Sequence, residues 1–368
     1  MRVFYIAELN IPNSSAYTQH VMKMCDEFSK NCNTTLIIYS KKNYSYRKIK
    51  KDYLLKNNFK IIYYSKSLVK NFLLNRIKFA FFVRKIINTK KSLVISRSPI
   101  SSILLGIAGI FNFLEIHSNL SGITKYFFIL FKIFKFYKNI FIILIHKNLS
   151  KTLNILKNFI VLDDAVKVED FYTKEVISKK KYDCTYIGSL YKGKGLEIIK
   201  YLSVNFKNIN FHVFGDVKTI GLENINWKEY KNIIFHGFLS YSKVPSILRN
   251  SKILLMPYLK KVHVRSSNLE VSKFMSPLKL FEYLASGNII LASRMTVYSH
   301  ILKNNYNCIL ASPEYYGQWK TLFSKVMSNI NHYSYLKKNA YITAKKFTWE
   351  NRVKIIIQKY NEINLAKI

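Results

Sequence analysis

The stretch YIGSLYKGKGLEII, residues 186–199, runs from a short apolar segment through a glycine-rich loop into a segment of helical periodicity. Gly188, Gly193 and Gly195 allow close backbone approach. The helix start behind them offers free N–H groups and a positive dipole end to a phosphate, and Lys194 adds a mobile charge. Strand, glycine loop and helix form the repeating unit of doubly wound parallel sheets. The loop also comes close to the pattern GxxxxGK[ST], but Gly195 stands where a Ser or Thr would ligate magnesium. The Walker-B-like end Val161-Leu162-Asp163 precedes the loop, so a nucleoside triphosphatase is disfavoured.

Working outward, the alternation continues on both sides. Upstream, strands are expected at 3–7, 34–39, 61–64, 93–96, 113–116, 140–145 and 159–162, with helices at 17–29, 68–87, 100–110 and 149–158. Downstream, strands are expected at 184–187, 211–214, 233–235, 253–256, 289–292 and 308–311, with helices at 195–204, 243–250, 278–286, 318–328 and 335–346. The charged stretch AVKVEDFYTKEVISKKK, 165–181, breaks the pattern and reads as a connection. The expected fold class is α/β, with two Rossmann-like domains at 1–168 and 169–346. A C-terminal helix, 347–368, returns toward the first domain. The length of 368 residues suits two domains of roughly 100–200 residues each.

A second segment, MSPLKLFEYLASGNIILAS (275–293), has the signs of a helix followed at once by a buried strand. Pro277 suits a helix start, Ser276 an N-cap, and Gly287 a stop. Glu282 shares a face with Leu278 and Ala285. A carboxylate there is costly unless it accepts strong hydrogen bonds, for which ribose hydroxyls are suitable donors; a surface pair with Lys279 is the plainer reading.

Composition sets the outer limits. Apolar residues at 49% exclude a disordered chain. The formal net charge of +39 calls for an anionic partner or reflects AT-rich coding, and by itself names no partner. Cys25, Cys32, Cys184 and Cys308 lack CxxC spacing, and His20, His146, His212, His236, His263, His300 and His332 show no HxH or HxxxH pattern. Neither a disulfide framework nor a metal centre is expected. The N-terminus is too acidic and too short in its apolar run for a signal peptide. Residues 98–114, uncharged, stand at the lower edge of the roughly 17–25 residues a spanning helix needs and read as a buried helix leading into a strand. KYFFILFKIFKFYK, 125–138, places Lys125, Lys132 and Lys135 on one side of a helix with Lys138 at its margin. Phe127, Leu130 and Phe134 lie opposite, while Phe128 and Phe131 interleave with the lysines. Such a helix suits an anionic membrane surface, and residues 68–85 extend the patch; packing on the sheet is the ordinary alternative.

The order of these motifs resembles glycosyltransferase family 4 and its relatives, retaining enzymes of the two-Rossmann GT-B fold. YIGSLYKGKG resembles the phosphate loop, VFGD (213–216) a strand end, and IIFHGFLSYSKVPSILRNSKILLMPY (233–258) the stretch after it. SPLKLFEYLASGNIILAS resembles the donor-binding helix and strand, and FTWENRVKIIIQKY the C-terminal helix. In the N-terminal half, LEIHSN (114–119) and FIVLDDAVKVEDF (159–171) match further motifs. The resemblance implies that Glu282 binds ribose and that Lys194, aided by Ser189, stabilises the diphosphate leaving group. It places Gly188, Gly215 and the helix start Ser276, Pro277, Leu278 and Lys279 at the phosphates, and His117 beside the donor sugar. The 13–17 loop would close over the site. Departure of a nucleoside diphosphate builds negative charge on oxygen, which preorganised lysines and helix N-termini stabilise without a metal or other cofactor.

The sequence departs from the family pattern at Phe274, where a Glu is usual, and at Ser189, where Arg is commoner. Ala165 replaces a Gly, and the first loop reads SSA. The expected partners are a nucleotide-sugar donor, a saccharide or lipid-linked acceptor in surface polysaccharide synthesis, and an anionic membrane on its cytoplasmic face. Nucleic acid is not expected, because no recognition module is present. A non-catalytic anion-binding protein is the alternative that Phe274 and Ser189 keep open, and a sugar-nucleotide epimerase of the same architecture is another. Trp349 and the EYLASG segment fit transferases better.

Overall fold

The computed structural model describes residues 1–13, 15–40, 44–65, 72–87, 92–120, 122–133, 136–172, 180–219, 225–264 and 270–365. Near-continuous apolar runs such as VFYIA and ILLM cannot be satisfied by a half-exposed sheet, and each becomes a strand covered on both faces. The chain forms two compact units, residues 1–163 with 349–368, and residues 164–348.

In unit 1 the strands are β1 (Arg2–Ala7), β2 (Asn33–Tyr39), β3 (Lys60–Tyr64), β4 (Leu93–Ser96), β5 (Asn112–Ile116), β6 (Ile140–Leu144) and β7 (Phe159–Val161). They pair in parallel in the order β3-β2-β1-β4-β5-β6-β7. Helices α1 (Ala16–Phe28), α2 (Tyr46–Tyr53), α3 (Phe72–Ile86), α4 (Pro99–Ile107), α5 (Gly122–Ile133) and α6 (Asn148–Thr152) connect them. Phe4, Ile6, Ile37, Phe79, Val83 and Leu105 share one core cluster across β1, β2, α3 and α4.

Unit 2 repeats the plan. Its helices are α7 (Val168–Phe171), α8 (Leu196–Asn205), α9 (Val244–Arg249), α10 (Leu278–Ala285), α11 (Tyr316–Ser328) and α12 (Ser334–Ala344). Strands β8 (Tyr182–Ile187), β9 (Phe211–Phe214), β10 (Ile233–Gly237), β11 (Ser251–Met256), β12 (Ile289–Ser293) and β13 (Ile309–Ala311) pair in parallel in the order β10-β9-β8-β11-β12-β13. Trp319 and Phe323 of α11 are fully buried against Phe211, Ile253 and Leu291. The last helix, α13 (Trp349–Leu365), belongs to unit 1.

The structure moves several expected boundaries. The break between units falls after Asp163 rather than after residue 168, because Val166 bridges to Thr348 and its N–H donates to the Phe347 carbonyl at 3.0 Å. The helix expected over 149–158 stops at Thr152, where Asn154 (φ 49°) turns the chain out in the left-handed region that asparagine tolerates. Helix α2 was not apparent from periodicity, since YRKIKKDY buries only Ile49 and Tyr53. The expected connection 165–181 contains the short α7; its residues 173–179 lie outside the described residues, as do 265–269.

Candidate functional site

In each sheet the strand order reverses once, between β1 and β4 and between β8 and β11. The loops leaving those strands are where open α/β sheets bind ligands. In unit 2 the glycine loop after β8 is pressed against the loop after β11. A Cβ on Gly193 would lie 2.0 Å from the Lys261 carbonyl oxygen, and one on Gly195 would lie 1.7 Å from that of Pro257. Leu259 N–H donates to the Gly193 carbonyl at 3.0 Å. The glycines therefore serve backbone-to-backbone contact. That contact brings Lys194, from the first loop, over the ring of Tyr258 in the second, with Nζ 4.9 Å from the centroid.

Lys279, in the first turn of α10, converges on the same place. Its Nζ sits 3.7 Å from the Tyr186 ring centroid and 5.2 Å from that of Tyr258. A Cβ on Gly188, which has φ 145°, would meet that Nζ at 2.7 Å, so the glycine makes room for the ammonium. This Nζ is shielded from solvent and has no hydrogen-bond partner among the described residues. Burial pushes Lys194 down to about 8. Burial, then the charge of Lys194, hold Lys279 well below the usual lysine range, with Glu282 pulling the other way. Two cations held on aromatic faces and short of anions are disposed to receive one.

Glu282 is buried on α10. The plainer expectation of a surface Lys279–Glu282 pair is therefore set aside; instead the Tyr241 hydroxyl donates to this carboxylate. The expected N-cap role of Ser276 is also corrected. Pro277 caps α10, and Ser276 Oγ accepts from Asp164 N–H at 3.0 Å, because the incoming chain of unit 2 takes the hydroxyl first. Leu278 is buried. Gly215 packs on the loop, where its Cβ would approach the Gly188 carbonyl oxygen to 2.3 Å. Ser189 contributes its carbonyl, which accepts from the Tyr186 hydroxyl at 2.7 Å. Phe274 is buried, with its N–H on the Val271 carbonyl.

In unit 1, His117 follows β5 and meets a network that sequence reading did not assemble. Its Nε2 lies 2.8 Å from Glu115 Oε1. The same oxygen accepts from Arg352 Nη2 of α13 at 2.5 Å and lies 2.8 Å from His20 Nε2 of α1, while Oε2 accepts from the Tyr5 hydroxyl at 2.6 Å. His20 stands edge-on to His117 and to Trp349, with centroids at 4.6 and 5.1 Å. Burial alone would raise the Glu115 carboxyl, but His20, Arg352 and His117 outweigh it and hold it well below the ordinary range. Burial, then the Arg97 guanidinium, push His117 down to about 3. His117 is therefore a neutral imidazole that donates from Nε2 to the carboxylate, leaving Nδ1 as an acceptor.

The donor atoms of His20, Glu115 and His117 lie within 4.8 Å of one another, as metal ligands do. However, the oxygen both imidazoles face already accepts from Arg352, so a cation there would meet a guanidinium. His20, set aside for want of a spacing pattern, belongs to this network. Its only signal lay in three-dimensional proximity.

The 13–17 segment, expected to be a closing loop, is partly helical. Ala16 starts α1, and Ser15 caps it by accepting from Thr18 N–H. In α5, Lys125, Tyr126 and Ile129 are exposed, whereas Phe128, expected to interleave with the lysines, is buried. Phe134 and Lys135, and the side chains of Phe127, Leu130, Phe131 and Lys132, lie outside the described residues. Among the described residues no helix is long and apolar enough to cross a membrane.

Two doubly wound parallel sheets, each with one reversal of strand order, make the architecture GT-B. Residues 168–343, nearly all of unit 2, match the family model of glycosyl transferases group 1, and that unit is a domain of this family. No curated protein matches it by sequence. Among solved structures it is similar to HepE of Anabaena in complex with UDP, at a TM-score of 0.70 and 10% identity over 100% of both chains. A glycosyltransferase from Rickettsia africae is similar at 0.72 and 14% over 98% of both. WaaG, a glycosyltransferase involved in lipopolysaccharide biosynthesis, is similar at 0.63 and 11% over 96% of this chain and 99% of that one.

Proposed function

We propose that the chain moves a sugar, with retention at the anomeric carbon, from a nucleotide-sugar donor to a saccharide or lipid-linked saccharide of a surface polysaccharide. The observation that carries the reading is the convergence of Lys194 and Lys279 on Tyr186 and Tyr258, with Lys279 Nζ lacking a partner among the described residues. A diphosphate supplies the missing acceptors. As the bond to the sugar breaks, the negative charge growing on the leaving oxygen is met by these two cations and by the first-turn N–H groups of α10. Glu282 takes the ribose hydroxyls, and Gly188 and Gly215 let the phosphates approach the backbone. The lysines do the electrostatic work a divalent ion does elsewhere, so the reaction proceeds in a chelator. His117 accepts a hydrogen bond from a hydroxyl of the donor sugar or acceptor.

HepE binds UDP and WaaG serves lipopolysaccharide synthesis, which makes UDP-sugars the first donors to try. Thermal shift with a panel of nucleotide sugars should show stabilisation that disappears in Glu282→Ala and Lys194→Ala. Binding of no nucleotide, or equal binding by both variants, would sink the assignment and leave a non-catalytic anion-binding protein. The product anomer, read by NMR, settles retention.

The second part of the proposal is peripheral attachment to the cytoplasmic face of the membrane. It rests on the basic charge and on the exposure of Leu74 and Phe81 of α3, Ile107 of α4, and Tyr126 and Ile129 of α5. Arg76 Nη1 donates to Thr124 Oγ1 at 2.9 Å, tying α3 to α5. Sedimentation with anionic liposomes should be lost when Lys125 and Lys138 become Glu and Tyr126 and Ile129 become Ser; unchanged sedimentation refutes attachment through this surface.

A further inference from the structure

The reversal of strand order in unit 1 places the residues that follow β1 and β4 side by side: Glu8 after β1, Arg97 and Ser98 after β4. The carboxylates there are already engaged. Glu8 accepts from Arg76 Nε at 2.6 Å and from Ser98 Oγ at 2.5 Å. Glu115 holds Arg352, Tyr5 and His117. Arg97 has no such claim. Its guanidinium carbon lies over the ring of Tyr17 of α1, 4.2 Å from the centroid. The Tyr17 hydroxyl is itself fixed by accepting from Glu8 N–H at 3.2 Å. Arg97 Nη1 is shielded from solvent and has no hydrogen-bond partner among the described residues.

Charge tells the same story. Arg76, Arg97 and Arg352, together with the His20 imidazole 2.8 Å from Glu115, face the two carboxylates of Glu8 and Glu115, while His117 is neutral. An arginine stays charged in any protein environment, and a shielded N–H without an acceptor is costly. An acceptor oxygen placed beside Arg97 would satisfy that N–H. The neighbouring His117 asks for something different: with Nε2 committed to Glu115, its Nδ1 takes a hydroxyl proton rather than an oxyanion.

We propose that Arg97 anchors an oxyanion subsite in unit 1, which takes a carboxylate or phosphate carried by the acceptor while an acceptor hydroxyl donates to His117 Nδ1. The inference rests on the glycosyl-transfer reading and narrows its acceptor to acidic saccharides, either uronic acids or sugar phosphates. The guanidinium, held over the Tyr17 ring, presents a planar fork suited to a two-oxygen anion. The lysine pair of unit 2 provides separately for the donor diphosphate.

The test uses the full chain, with the His117 imidazole NMR signal as reporter, assigned by its loss in His117→Gln. The probes are glucuronate, glucose 6-phosphate and glucose. A saturable shift is expected with one or both acidic sugars and none with glucose at the same concentration; which acid acts identifies the anion. Arg97→Met should weaken that binding about tenfold or more. UDP affinity, measured separately by calorimetry, should change less than about twofold. If Arg97→Met does not fold, Arg97→Lys serves: it keeps the charge but loses the planar fork, and should weaken the acidic sugars several-fold with UDP unaffected. Equal shifts with glucose, unaltered acid binding in these variants, or a comparable loss of UDP affinity would each overturn the proposal. Failure of the wild-type chain to bind UDP removes the donor reading but leaves the His117 titration interpretable.

Discussion

If Lys194 and Lys279 receive the donor diphosphate, UDP binding takes up protons, and the pH at which it does so follows from their burial. Free Lys194 titrates at about 8 because burial disfavours its charged form. A bound diphosphate reverses that preference and returns the ammonium toward the ordinary lysine value near 10.4. Below pH 8 Lys194 is charged in both states and contributes no pH dependence. Above pH 8 the free lysine is neutral while the bound one is charged. The affinity should then fall by about tenfold per pH unit for this one proton, until the bound form titrates as well. At pH 9 roughly a tenth of free Lys194 is protonated, so uptake approaches one proton per UDP. Lys279, held well below the usual lysine range by burial and then by the charge of Lys194, adds a proton-uptake component of its own.

Calorimetry in two buffers of different ionisation enthalpy measures the uptake directly. Lys279→Met isolates Lys194, whose depression comes from burial alone, and should keep the step near 8. Affinity and proton uptake that stay flat from pH 7 to about 9.5 in both proteins would refute the reasoning. The stability of the unliganded chain carries the opposite sign. A lysine whose folded value lies below its unfolded value is proton-poor in the folded state between about 8 and 10.4, so this group's destabilisation eases as pH rises through that window.

Three further outcomes follow from the packing. Gly195→Ala should abolish soluble expression or cost more than about 3 kcal/mol in urea unfolding, since its Cβ would fall 1.7 Å from a backbone oxygen at φ 90°. Gly109→Ala, at φ 76° with open space around it, should cost only about 1–2 kcal/mol by the same measurement. Arg352→Met removes the donor to Glu115 and to the Leu162 and Asp163 carbonyls, leaving a buried carboxylate short of its cation. A loss of about 3–5 kcal/mol is expected, and one below about 1 kcal/mol would show that the network adds little.

Much of the architecture could be read along the chain because its cause is local. A run such as IILAS after LKLFEYLASG demands burial on both faces, and Gly287 (φ 61°) permits the turn between helix and strand. Repeated along the chain, such units imply parallel sheets. The same periodicity failed where side chains choose partners beyond it. Ser276 looked like a cap but serves Asp164, and Phe128 looked interleaved with lysines but is buried.

By itself the sequence determined the alternating α/β plan and the motifs around Lys194 and Glu282, since strand and helix preference and glycine's tolerance of positive φ act within a few residues. Only the tertiary structure decided that Lys279 shares Tyr258 with Lys194, that Arg352 reaches a carboxylate 237 positions away, and that Arg97 is left with an unfilled donor. Those facts depend on which loops the reversal of strand order sets side by side, and charges buried at such a point must be balanced in space, whatever their separation along the chain.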